Sequence, residues 1–272
     1  MKVGIVGKGG VGKTTLSSLI CEGFRARGRR VLAIDTDSNP NLAMSLGLSE
    51  EAANSAPIVP RALAVGGMAQ WTPERLIETF ALTTPSGIMM LHAMRVDQAG
   101  AGCTCTSHAA VRSILGSTIE EMADVTLVDM EAGLEHLSRS GGTLAYADIL
   151  LMIMEPTRKS ILTAARTIEL AQELGIPRIA GVGNKAKLPQ DKDFYELVAA
   201  EFGVPLAGIV PWNGDVPTAD RRGTPIEADE AGPVKEAVEG LLDFIESPDA
   251  ERNALLAERE RIERRLIELR AD

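Results

Sequence analysis

The chain has 272 residues, 45 % of them hydrophobic and 24 % charged, with a formal net charge of −10. That size and balance suit a soluble α/β domain with a large core, and the acidic total argues against binding nucleic acid or an anionic membrane through the whole surface. No apolar run approaches the roughly 18 residues of a membrane helix, and Met1 leads into a strand without a basic-then-apolar leader, so the expected compartment is the cytoplasm.

The first element is the short apolar run Val3-Gly4-Ile5-Val6, followed at once by Gly7-Lys8-Gly9-Gly10-Val11-Gly12-Lys13-Thr14-Thr15. This matches G-x-x-x-x-G-K-[ST], a phosphate cradle. Glycines let the backbone N–H groups of Gly9, Gly10, Val11, Gly12, Lys13, Thr14 and Thr15 close on phosphate oxygens, Lys13 offers a point charge, and the Thr14 hydroxyl can hold Mg²⁺. Two rivals remain. A plain glycine turn has no need of Lys-Thr-Thr. A dinucleotide-binding G-x-G-x-x-G, with Asp35 on the ribose, leaves Lys13, Thr14 and Thr15 without a task.

Lys8 turns the loop into K-G-G-x-G-K-T-T, which resembles the deviant P-loop of the MinD/ParA and nitrogenase-iron-protein class of ATPases. The resemblance implies that Lys8 reaches across a homodimer formed in the ATP state and acts with Lys13 on the phosphates of the neighbouring subunit. Fixed cations are what a loose phosphoryl-transfer transition state requires.

Residues 13–27 carry apolar positions at helical spacing, with Gly28 at the C-terminal cap, and Cys21 falls among them as a small buried hydrophobe. Val31-Leu32-Ala33-Ile34 reads as a strand covered on both faces. It runs into Asp35-Thr36-Asp37-Ser38-Asn39-Pro40-Asn41, which is either a loop of turn formers or an acidic lining for the crevice beside the P-loop. The family resemblance implies that Asp37 positions or deprotonates the attacking water and that Asp35 stands near the Mg²⁺ shell.

Residues 49–86 give no functional expectation beyond a short helix after Trp71-Thr72-Pro73, and Gly87–His92 reads as a short strand. The glycine-flanked Cys103-Thr104-Cys105 comes next, with His108 close behind. Two thiols at C-x-C spacing can share one metal ion, form a redox pair or be incidental. As ligands they fill half of a tetrahedral site, which a second subunit across a two-fold axis, or His108 locally, could complete.

Val125-Thr126-Leu127-Val128-Asp129 is a strand ending in an acid, where Asp129 would hold Mg²⁺ through water. With the C-T-C before it, the continuation Asp129-Met130-Glu131-Ala132-Gly133-Leu134-Glu135-His136-Leu137 resembles the CooC-type nickel-insertion ATPases of carbon monoxide dehydrogenase maturation, over nearly the whole chain. That resemblance implies Ni²⁺ or Zn²⁺ held by Cys103 and Cys105 of each subunit, and a client apoprotein, carbon monoxide dehydrogenase or a related nickel enzyme. It also makes the chain an ATP hydrolase needing ATP and Mg²⁺. Nitrogenase-reductase-like and ParA/MinD-type positioning roles are the alternatives, but after Cys105 the chain has no cysteine to build an iron–sulfur site of the first kind. His136 reads as a packed or surface group.

Ile149–Met154 is another buried strand closed by Glu155-Pro156, and residues 158–174 form a helix with apolar Ile161, Leu162, Ala165, Ile168 and Leu174. Ile179–Lys185 is a strand whose Asn184 matches the family's adenine-reading asparagine. Leu206–Val210 leads to Pro211 and Trp212 at the adenine face, where Trp212 covers the base or merely packs. Strand–helix alternation without repeats predicts a single doubly wound, mainly parallel α/β sheet with helices on both faces, a P-loop ATPase domain over residues 1–248. Residues 249–272 read as a charged C-terminal helix suited to protein rather than lipid, so neither nucleic acid nor membrane is an expected partner.

Overall fold

The computed structural model describes residues 1–37, 41–60, 71–94, 105–116, 121–131, 143–226 and 230–247. Cys103, the run 132–142 that includes His136, and the charged segment 249–272 lie outside them. The described strands are β1 (Lys2–Gly7), β2 (Val31–Asp35), β3 (Leu82–Thr83), β4 (Met89–His92), β5 (Val125–Asp129), β6 (Ile149–Met154), β7 (Ile179–Ala186) and β8 (Leu206–Pro211). They form one sheet in the order β3-β4-β2-β5-β1-β6-β7-β8, parallel throughout except for β3 at one edge. This is the predicted mainly parallel, doubly wound sheet.

Burial on both faces explains the nearly unbroken apolar strands. Along β2, Leu32 and Ile34 face one core, while Val31 and Ala33 face the other. The second core is closed by α1 (Lys13–Ala26), through Leu16, Ile20 and Phe24, and by α9 (Gly232–Ile245), through Val234, Val238, Leu241 and Leu242. The opposite face is covered by α4 (Pro73–Phe80), α5 (Cys105–Leu115), α6 (Arg158–Glu173) and α7 (Pro189–Glu201). The shorter α2 (Leu42–Ser45), α3 (Glu50–Ser55) and α8 (Asp215–Arg222) fill the loops between.

Local chemistry sets several ends. Thr72 caps α4 on the Arg75 N–H with Pro73 in the first turn, and Thr157 caps α6 on Ser160. Cys21 is fully buried in α1, as its spacing predicted. The expected apolar stripe of α6 needs one correction. Ile161, Ala164 and Ile168 are buried, but Leu162 is 40 % exposed, because one residue turns a helix by about 100° and carries it off the inward face.

The helix α5 runs antiparallel to the strands beneath it. Gly116, just past its end, packs against the Tyr146 ring, and two residues beyond Tyr146 the Asp148 carboxylate accepts the Lys2 N–H at the start of β1. The C-terminus of α5 therefore lies at the amino edge of the sheet. Eleven residues of helix place Cys105 about 16 Å away, toward the carboxyl edge.

Candidate functional site at the carboxyl edge of the sheet

The carboxyl ends of β1, β2, β5, β6, β7 and β8 bring Gly7, Asp35, Asp129, Met154, Asn184 and Pro211 to one edge, since neighbouring strands run parallel in matched register. The edge opens into a cleft of about 660 Å³ lined by Gly9, Gly10, Gly12, Lys13, Thr14 and Thr15, with Asp37, Asn184, Pro211 and Trp212 across from them. Val11 lies beneath, fully buried, and Lys8 stands exposed at the rim.

The loop from Gly7 to Gly12 is wound as only glycine allows. Gly7, Gly10 and Gly12 take φ of +153°, +81° and +96°, and a Cβ on Gly7 would strike the Ile153 carbonyl. α1 begins directly after Gly12, so its unpaired N–H groups and dipole face the cleft. The Lys13 ammonium lies 3.4 Å from the Lys8 carbonyl oxygen, a contact that an anion in the loop can replace.

Two carboxylates meet below the loop. Asp35 and Asp129 are register partners on β2 and β5, and both are almost completely buried. Burial pushes both acids above the usual carboxylate range, and the Asp129 charge raises Asp35 further. Thr14 and Lys13 act in the opposite direction on Asp129. Their hydrogen bonding differs. Asp35 accepts the N–H groups of Asp37 and Leu42, each at 3.0 Å, so its oxygens shape the loop that carries Asp37. The Oδ1 atom of Asp129 is buried without a hydrogen-bond partner. An orphaned carboxylate oxygen near a threonine hydroxyl is a donor set that fits a hard divalent cation. Thr36 ties this loop to β5, its N–H and hydroxyl both donating to the Asp129 carbonyl.

Asn184 is 7 % exposed and lines the cleft. Its Nδ2 donates to the Val11 carbonyl at 2.8 Å, and the Tyr195 hydroxyl donates to the Asn184 backbone carbonyl from below. Trp212 is 46 % exposed at the cleft mouth, with the Lys187 ammonium 4.9 Å from its ring centroid. Sequence reasoning passed over Glu155, Lys185 and Lys187, which also line the cleft. Their one sequence signal was position: each lies at or just past the end of a parallel strand.

Of the C-x-C pair, Cys105 opens α5 and Cys103 lies outside the described residues. His108 is buried on the core-facing side of α5, 3 % exposed. Among the described residues no group of three or more His, Cys, Asp and Glu side chains could hold a metal ion. Nor is any helix there long and apolar enough to cross a membrane.

Residues 4–226 match the CobQ/CobB/MinD/ParA nucleotide-binding domain. The chain is 34 % identical to the carbon monoxide dehydrogenase accessory protein CooC of Rhodospirillum rubrum, over 82 % of its own length and 88 % of the relative's. Among solved structures it resembles the MinD cell division protein of Aquifex aeolicus at 25 % identity, with a TM-score of 0.68 over 90 % of this chain and 95 % of that one. The fold also matches cobyrinic acid a,c-diamide synthase of Mycobacterium smegmatis, bound to an ATP analogue and magnesium, at 21 % identity, with a TM-score of 0.66 and cover of 90 % and 95 %.

Proposed function

Because this chain belongs to the CobQ/CobB/MinD/ParA nucleotide-binding family, and is an ATPase of the MinD/ParA class using ATP and Mg²⁺, we propose that it is a dimerising nickel-insertion ATPase. Carbon monoxide dehydrogenase or a related apoprotein would be its client. Support comes from Cys105, the second cysteine of the C-T-C, opening α5 toward the same sheet edge as the nucleotide cleft, together with the likeness to a carbon monoxide dehydrogenase accessory protein.

In this reading the N–H groups of residues 9–15 hold the phosphates and Lys13 moves from the Lys8 carbonyl to their oxygens. Thr14 and Asp129, with Asp35 behind them, would hold Mg²⁺, which would supply positive charge against the transferring phosphoryl group. Asp37 aligns the attacking water and takes its proton, yielding ADP and phosphate. Asn184, Pro211 and Trp212 border the adenine, and Lys8 completes the partner's site. Cys103 and Cys105 of each subunit supply four thiolates to one Ni²⁺ or Zn²⁺ ion, the cargo, which separation of the subunits releases.

Light scattering with Mg-ATP and nickel dialysis test this directly. The expected result is a dimer that takes up about one nickel ion, and a persistent monomer, or nickel uptake indifferent to ATP, refutes it. A second expectation concerns Gly12→Ala. The left-handed backbone and the collision of its Cβ with the Asn184 amide cost of order 1–3 kcal/mol, so Mg-ATP affinity should fall about tenfold or more in a nucleotide titration.

A further inference from the structure

The loop that cradles phosphate is gripped from behind by two consecutive residues of β7. Asn184 donates to the Val11 carbonyl, and the Lys185 ammonium donates to the Gly10 carbonyl at 2.5 Å. Lys185 is also held at 2.7 Å by Glu155, just past the end of the neighbouring strand β6. Both side chains of this ion pair are about a third exposed, at 38 % and 34 %, and both line the cleft.

Two backbone features aim Lys185 there. It has φ of +62°, one of two non-glycine residues with positive φ among the described residues. The β7–β8 register also breaks between Gly183 and Ala186, the two positions that bracket Asn184 and Lys185. A bulge re-aims side chains, and a left-handed residue other than glycine costs of order 1 kcal/mol, so such strain persists only where the surrounding structure enforces it.

The N–H and C=O of one trans peptide lie in its plane and point in opposite directions. Holding the Gly10 carbonyl therefore fixes the Val11 N–H, and holding the Val11 carbonyl fixes the Gly12 N–H. Without those donors the flanking glycines would let both planes turn over and present carbonyl oxygens to the phosphates.

We propose that Lys185 and Glu155 form a clamp that sets nucleotide affinity: Lys185 is a positioning residue that keeps phosphate-binding N–H groups turned into the cleft, and Glu155 holds its ammonium back and offsets its charge. The proposal rests on the cleft being the nucleotide site. Its signature is a pair of opposite effects. Lys185→Gly relieves the left-handed backbone but removes the donor, leaving the Glu155 carboxylate facing the phosphates. Glu155→Gln keeps a hydrogen-bond acceptor for Lys185 and removes the negative charge.

Calorimetric titration with Mg-ADP, together with thermal unfolding, tests it. Lys185→Gly should unfold no earlier than the wild type yet bind Mg-ADP about tenfold or more weakly, and Lys185→Arg should recover part of the loss. Glu155→Gln should bind a few-fold more tightly at low salt, with the gain shrinking as salt rises. Wild-type affinity in Lys185→Gly, or equal weakening in both variants, would overturn the clamp. A wild-type protein that binds no Mg-ADP would instead overturn the assignment of the cleft.

Discussion

Lys8→Ala is expected to lower ATP turnover by about 10³-fold or more while leaving Mg-ATP binding to a single subunit within a few-fold of the wild type. The two lysines of the loop sit in different surroundings. Lys13 is 8 % exposed and leans into the cleft, whereas Lys8 stands exposed at the rim, its backbone carbonyl 3.4 Å from the Lys13 ammonium. An ammonium in water adds little to a phosphate at a distance, because the dielectric and salt screen it. In the proposed dimer a second subunit would cover the cleft and exclude water, and the same charge would meet the developing phosphoryl charge with little screening. Arginines supplied in trans to comparable sites contribute about 10³–10⁵ in rate, which sets the scale. Phosphate release measured with light scattering separates the cases. Turnover equal to the wild type, or loss of binding to the monomer, would remove Lys8 from the shared-site mechanism. Lys13→Ala should differ by abolishing binding itself.

The features legible in the sequence are those fixed by local pattern. Continuous apolar runs gave the parallel strands because both faces are buried, and the glycine spacing gave the loop because its left-handed positions tolerate little else. What stayed hidden depends on pairing between distant segments. Glu155 and Lys185 are 30 residues apart and meet only because β6 and β7 are neighbours. Asp35 reads as a ligand by type, yet its two oxygens are taken by N–H groups of the returning loop, a closure that no spacing reveals. Asn184 reads as a base contact by position, and its link to the Val11 carbonyl becomes visible only once β7 is laid behind the P-loop. His108 lies close to the cysteines in sequence, and its burial becomes visible only once α5 is laid on the sheet.

Replacing the cysteine pair carries the other large effect: Cys103→Ser/Cys105→Ser should weaken nickel binding by about 100-fold or more while metal-free ATP turnover stays close to the wild type. Thiolates are far better ligands than hydroxyls for such an ion, and the proposed site has no other donors. Cys21, the third cysteine, cannot substitute, because it is fully buried and desolvation pushes its thiol well above the usual range. Two thiolates leave a tetrahedral ion half-bound, so one subunit alone should hold nickel weakly, and ATP should tighten it by supplying the other pair. That coupling carries to a residue far from sulfur. If ATP-driven pairing completes the metal site, a Lys8→Ala protein that fails to pair should also lose high-affinity nickel, although it retains all its cysteines. Nickel titrations of both variants, with and without Mg-ATP, decide the matter. Wild-type nickel affinity in the serine variant would remove the cysteines, and an unpaired Lys8→Ala protein with undiminished nickel affinity would show that each subunit carries a complete site.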